Sequence, residues 1–255
     1  MKAYERRIQL LDSLKNGHPV EVPDIAGKFG VSEMTIRRDL RLLERQGLLV
    51  KTHGGVIPLE NSSIELSFVT KGDLHIHEKR RIAQEAVKLV QGAKTIILDS
   101  GTTTGEIARA LGARSDLCLT VITNALNIAN MLHSCRHLSL ILLGGAFRET
   151  SMAFMGPLAE DALAHINADI GFIGVDGVDL DKGSTVPDAT DARLKQRIIA
   201  SSKVSVVVAD HTKLGVTCLA TICPLSGTSS IITGREATSA FVAHAKIRGL
   251  NVILA

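Results

Sequence analysis

A chain of 255 residues with 45% hydrophobic content is comfortable for one small domain plus a larger one, and 3% aromatic content with no Trp makes the core aliphatic. No run of about twenty apolar residues occurs, and MKAYERRIQL enters a charged helix without the apolar stretch of a secretory signal; a cytoplasmic protein with no membrane partner is expected. Residues 1–58 hold ten Lys and Arg against seven Asp and Glu while the rest hold nineteen of each, so the formal +3 points the N-terminal segment, not the body, at nucleic acid.

Tyr4 to Leu14 carries Ile8, Leu11 and Leu14 on one face and predicts a first helix. Val22 to Phe29, with Ile25, Ala26 and Phe29 in register, predicts a second. Gly30 permits the tight turn that follows. Ser32 stands where a hydroxyl caps free backbone N–H groups. Beyond it Ile36, Leu40 and Leu43 recur at i, i+4, i+7, while Met34, Arg37, Arg38, Arg41 and Arg45 fall on the other side. An apolar stripe opposite an arginine row suits a major groove, because arginine binds phosphate and reads guanine with two parallel hydrogen bonds. A solvated amphipathic helix would look similar, so the neighbours decide. Gly47 is a helix stop, and Leu48–Thr52 and Val56-Ile57 flank the turn His53-Gly54-Gly55 as a small hairpin. Two helices, a recognition helix and a hairpin make a winged helix-turn-helix. Its candidate DNA contacts are Ser32, Thr35, Arg37, Arg38, Arg41, Lys51 and His53.

Val31-Ser32, Thr35-Ile36-Arg37-Arg38-Asp39-Leu40, Leu43-Glu44, Gly47 and His53-Gly54-Gly55 stand at gapless spacing. This segment resembles the DeoR-type family of bacterial sugar-metabolism repressors. The resemblance implies a DNA-binding head joined to a metabolite-sensing body. The expected division is 1–57 for the head, 58–77 for a linker and 78–255 for an α/β sensor domain.

Residues 58–77 mix polar residues, Pro and Gly without a sustained period. His75 and His77 could clip a metal, yet with no third ligand nearby a plain loop is the expectation. From Glu78 helices and strands alternate: a helix through Ile82, Ala86 and Val90, a strand over 95–98, a helix over 105–111, a strand over 117–122, a helix over 125–133 and a strand over 138–143. Strands near 170–175, 204–209 and 229–232, helices at 190–202 and 236–248, and a last strand at 251–254 complete the pattern. Short continuous apolar strands between helices predict a mostly parallel sheet covered on both faces.

Such sheets place ligands in the loops after their strands. Asp99-Ser100-Gly101-Thr102-Thr103-Thr104 lies between a strand and a helix. Its glycine allows close backbone approach, and its hydroxyls with the helix N-terminal N–H groups form a phosphate cradle. An ordinary Thr-rich helix cap would read the same. No GxxxxGK[ST] pattern is present, so it is not a nucleotide P-loop. Thr123-Asn124, Gly144-Gly145, Gly174-Val175-Asp176-Gly177 and Asp210-His211-Thr212-Lys213 follow four more strands, and Asp191 and Lys195 share one helix face. The simplest common account is one pocket, with phosphate donors on one side and Asp and Lys groups for sugar hydroxyls on the other. Its candidate lining is Asp99, Ser100, Gly101, Thr102, Thr103, Thr104, Asn124, Gly145, Asp176, Asp191, Lys195 and Lys213.

The DeoR-type resemblance runs on through these clusters and through Phe172–Gly177, covering nearly the whole chain. It implies a body similar to ribose-phosphate isomerase-like folds and a phosphorylated sugar-type effector, with no cofactor. Asp191-Ala192, Leu214 and Gly234 depart from the family's pattern, where Glu-Ala, Phe and Asp are expected. Operator DNA, a sugar-phosphate or sugar-acid phosphate effector and further copies of the chain are the expected partners.

The rival class is a sugar-phosphate isomerase carrying an accessory head, with Asp191 as base and Lys195 or Lys213 stabilising the enediolate. A complete winged helix has no use in that scheme, and fold alone does not imply chemistry. His133 and His137 with Cys135 lack a partner that completes a metal site. The four cysteines show no paired metal spacing and read as reduced thiols.

Overall fold

Ser32 begins the arginine-bearing helix as its position predicts: the Thr35 backbone N–H donates to Ser32 Oγ at 3.2 Å, filling one of the open donors of the first turn. The computed structural model in which this is seen describes residues 6, 7, 9, 10, 21–45, 49–52, 55–58 and 68–255. The chain divides into two compact units, Met1–Asp73 and Leu74–Ala255.

In the first unit α1 (Val22–Phe29) ends at Gly30, whose φ of 62° is the left-handed conformation glycine adopts without strain. Then comes α2 (Glu33–Arg45). Ile36, Leu40 and Leu43 of α2 are buried against Ile25 and Ala26 of α1 and against Leu10; residues 6, 7, 9 and 10 are helical. The apolar stripe therefore builds a small core of its own. Strands β1 (Leu49–Thr52) and β2 (Gly55–Pro58) pair antiparallel from Leu49↔Pro58 to Thr52↔Gly55, forming the wing. His53, expected at its tip, lies outside the described residues. The segment read as an aperiodic linker contains a six-residue helix, α3 (Phe68–Asp73). A helix that short spans under two turns and cannot display an apolar period in sequence.

The second unit opens with α4 (Ile76–Leu89). Its seven-stranded sheet comprises β3 (Thr95–Leu98), β4 (Leu119–Thr123), β5 (Leu138–Leu142), β8 (Ala168–Gly174), β11 (Ser202–Val208), β13 (Ser230–Thr233) and β14 (Asn251–Leu254). The spatial order is β14-β13-β11-β8-β3-β4-β5, and every pairing is parallel. Side chains alternate across it with period two: Ile97, Ile122, Ile173, Val207 and Ile231 pack on one face, and Ile96, Leu98, Val121, Phe172, Val206 and Ile232 on the other. Helices cover both faces, among them α5 (Thr102–Gly112), α6 (Leu126–Leu132), α8 (Ala189–Ala200) and α9 (Ser239–Ile247).

Three features were not foreseen. Strands β6 (Ala146–Arg148) and β7 (Ala153–Met155) pair antiparallel after β5, and α7 (Pro157–Ala164) leads back to the sheet. A three-stranded antiparallel sheet orders β12 (Ala220–Cys223), β10 (Gly183–Val186) and β9 (Gly177–Asp179). Strands of three or four residues carry too few alternations to announce themselves.

The connectivity positions the site. From β3 the chain builds outward through β4 and β5, then returns to lay β8, β11, β13 and β14 on the opposite side of β3. The order reverses between β3 and β8, which opens a crevice at their carboxyl ends, the place where open α/β sheets bind ligands.

Candidate functional site

Asp99 follows β3 directly into that crevice and is fully buried. Its Oδ2 accepts from the Gly174 backbone N–H at 3.0 Å, stitching the ends of β3 and β8 together. A Cβ on residue 174 would lie 3.1 Å from the Ser100 carbonyl oxygen, so glycine is what permits the approach. The same carboxylate accepts a short hydrogen bond from Lys195 Nζ. Lys195 rises from α8, one turn beyond Asp191, and its Nζ lies 3.3 Å from Asp191 Oδ1. That oxygen is buried and has no partner meeting hydrogen-bond geometry among the described residues.

One ammonium thus stands between two carboxylates away from water. Burial disfavours the charged form of Lys195, but Asp191 and Asp99 outweigh it and hold the ammonium above the usual lysine range. Burial pushes Asp191 up to about 6, with Lys195 opposing and Asp99 adding to the rise. Asp99 is also raised by burial, against the pull of Lys195 and of the Ser100 and Gly174 N–H groups. Asp191 is itself set in place by the N-cap of α8, where its N–H donates to Asp188 Oδ1 at 2.8 Å.

The Ser100–Thr104 segment turns from β3 into α5. Gly101 takes φ 150°, Thr104 Oγ1 donates back to the Gly101 carbonyl at 3.0 Å, and Gly101 as N-cap offers no side chain to the first-turn N–H groups. Those donors are left to a ligand or solvent. Ser100 and Thr103 are buried beside them, whereas Gly101 and Thr102 are half-buried. Asp176, beyond β8, lies 3.9 Å from Lys213 Nζ, and Lys213 ends a turn in which Asp210 Oδ1 accepts from the Thr212 N–H at 3.1 Å. The fold therefore joins Asp99, Asp191 and Lys195 in direct contact and couples Asp176 with Lys213.

Asn124 and Gly145 both meet β7. Buried Asn124 donates from Nδ2 to the Phe154 carbonyl at 3.3 Å and accepts the Phe154 N–H on its own carbonyl at 2.8 Å. A Cβ on residue 145 would sit 2.5 Å from the Met155 carbonyl oxygen. Both hold β7 against the carboxyl edge of the sheet. Asn124 Oδ1 is buried with no hydrogen-bond partner among the described residues.

On α2, Met34, Arg37, Arg38 and Arg41 are exposed opposite the buried stripe. Arg37 Nη2 lies 3.2 Å from Glu33 Oε2, one turn back, while Ser32 Oγ and Thr35 Oγ1 are 2.9 Å apart at the helix start. Asp39, in the middle of the arginine run, points the other way: it is buried and accepts from Arg6 Nε at 2.7 Å. Lys51 lies on β1.

A winged helix carrying an exposed arginine row and a parallel sheet with a charged crevice at its switch point narrow the choice of family, and comparison with known proteins decides it. Residues 6–61 match the DeoR-like helix-turn-helix domain and residues 74–235 the DeoR C terminal sensor domain. The chain belongs to the DeoR family. It is 32% identical over 255 residues to the HTH-type transcriptional regulator GolR of Listeria innocua, covering 100% of each chain. It is 30% identical to the glycerol-3-phosphate regulon repressor of Escherichia coli K12, covering 91% of each. Among solved structures, ribose 5-phosphate isomerase A from Methanocaldococcus jannaschii aligns over 53% of each chain at 22% identity and a TM-score of 0.40. One of these whole-length relatives is named an HTH-type transcriptional regulator and the other a repressor, and with its own helix-turn-helix match this DeoR-family chain is a DNA-binding transcriptional regulator rather than an enzyme.

Two features of this DeoR-family chain escaped the sequence. Arg148 of β6 reaches Asp188, with Nη2 to Oδ2 at 3.8 Å, and so comes beside the start of α8. A lone arginine in a segment without strand pattern gave no signal. Glu78, in the first turn of α4, is buried and accepts from the His211 backbone N–H at 2.7 Å and from His211 Nδ1 at 2.8 Å; its partner is distant in sequence. Among the described residues no helix is long and apolar enough to cross a membrane, and all four cysteines are free.

Proposed function

We propose that this regulator represses a carbohydrate or sugar-acid operon and leaves its operator when a phosphorylated sugar or sugar acid binds the crevice between β3 and β8. The observation that carries this reading is a helix N-terminus with open N–H donors beside a buried Asp99–Lys195–Asp191 cluster at the switch point of the sheet. The first-turn N–H groups with Ser100, Gly101, Thr102, Thr103 and Thr104 receive the phosphate. Asp99, Asp191, Lys195, Asp176 and Lys213 face the hydroxyl or carboxylate end, while Asn124 and Gly145 shape the wall by holding β7. Ser32, Thr35, Arg37, Arg38 and Arg41, with Lys51 and His53 of the wing, contact the operator. The working form is a homo-oligomer, and the head, linker and sensor divide at 57–58 and 77–78.

The relatives support the operon class, since one of them is named a glycerol-3-phosphate regulon repressor. An effector acts only through differential affinity for the DNA-bound and free states. The test is operator binding at fixed salt, using DNA flanking the protein's own gene, with and without a panel of sugar and sugar-acid phosphates. One phosphate is expected to dissociate the complex, and Thr103→Val is expected to lose that response while binding DNA normally. Specific DNA binding that no phosphate alters, or a normal response in Thr103→Val, would move the effector site elsewhere.

A further inference from the structure

We propose that His75, Glu78 and His211 form a binding site for a divalent transition metal ion, with Zn2+ the best match to the donors. One ligating atom from each residue lies within 4.8 Å of the other two. Two imidazoles and a carboxylate are a donor set that tetrahedral Zn2+ accepts while keeping one position for water.

The three residues converge from two parts of the second unit. Glu78 is 3% exposed in the first turn of α4. Its two oxygens are oriented by the backbone N–H and the Nδ1 of His211, at 2.7 Å and 2.8 Å. They fix the carboxylate beside His211, and a metal held through His211 Nδ1 would take the place of the Nδ1–Oε2 hydrogen bond. His75 is the N-cap residue of α4 and takes φ 52°; its ring meets that of His211 edge-on, with centroids 5.0 Å apart. His77, the partner the sequence suggested for His75, is exposed on the helix instead.

Gly234 makes room for this arrangement. A Cβ there would lie 2.2 Å from Glu78 Oε1, so any other residue at 234 would displace the carboxylate. Zn2+ bonds of about 2.0–2.2 Å put tetrahedral donors about 3.4 Å apart, so donors now within 4.8 Å of one another close by up to about 1.5 Å on binding. His211 belongs to the turn that also carries Lys213, which links the site to the Asp176 side of the crevice.

The test uses the full-length chain, free of any affinity tag and stripped with a chelator, titrated with Zn2+ by calorimetry and with Co2+ by visible absorption. Expected are one equivalent per chain, Co2+ ligand-field bands of tetrahedral intensity without a thiolate charge-transfer band, and affinity at least about tenfold weaker in both His75→Ala and His211→Ala. Circular dichroism of the metal-free variants checks folding; if His211→Ala fails to fold, His75→Ala and His75→Gln carry the comparison, because His75 is half-exposed. Absence of binding at about 10 µM Zn2+, unchanged affinity in the His75 variants, or a thiolate band assigning the metal to cysteine would each overturn the proposal.

Discussion

Lys195 faces two buried carboxylates with one positive charge, so burial raises both Asp99 and Asp191. The Asp191 pKa of about 6 against an ordinary 3.8 means the folded chain holds a proton that the unfolded chain has released. Between those two values the native state binds more protons, so this group's contribution to stability falls as pH rises and is fully lost above about 6. Asp191→Asn removes the titration. The stability of that variant relative to the parent is expected to rise by about 3 kcal/mol across the window, read from urea unfolding at stepped pH. A difference that stays flat across those pH values would mean that Asp191 is ionised throughout. Such strain at a polar cluster is ordinary for a site kept ready for a ligand, where fully apolar packing would be more stable.

At the scale of one element, α2 separates its two jobs by face. Leu40 lies in the small core with Ile25 and Leu10, so Leu40→Ala should cost about 2–5 kcal/mol of head stability through the cavity it leaves. Arg38 is exposed on the opposite face. Arg38→Ala should leave thermal unfolding unchanged and weaken operator binding by about 1–3 kcal/mol if it reads a base. Loss of stability in the arginine variant, or undiminished DNA affinity with the same salt slope, would contradict that division. Both faces are legible in sequence because a 3.6-residue period sorts side chains by position alone. Asp39 is the exception, since its burial depends on Arg6 from another helix.

For the whole molecule, the proposed function makes regulation a free-energy coupling between an operator bound by the first compact unit and an effector bound by the second. Reciprocity follows: the factor by which the effector weakens operator affinity must equal the factor by which operator DNA weakens effector affinity. Calorimetric titration of the effector into free protein and into the operator complex measures both sides. Unequal factors at equilibrium would show a third state, such as a change in subunit number, entering the cycle.

The amino-acid sequence by itself determined the winged head, the helix–strand alternation, the strand-end loops and the α8 face shared by Asp191 and Lys195. Each is local, set by periodicity, caps and glycine turns within a few residues. It also supplied the roster of polar clusters, because every one follows a strand directly. Only the tertiary structure decided which clusters meet. Sheet order put β8 beside β3 and so brought Gly174 and Lys195 to Asp99, assigned Asn124 and Gly145 to holding β7, and set Glu78 against His211. Those contacts join residues from ten positions apart, Gly145 and Met155, to 133 apart, Glu78 and His211, and their partners are chosen by strand order and helix packing, which no local pattern records.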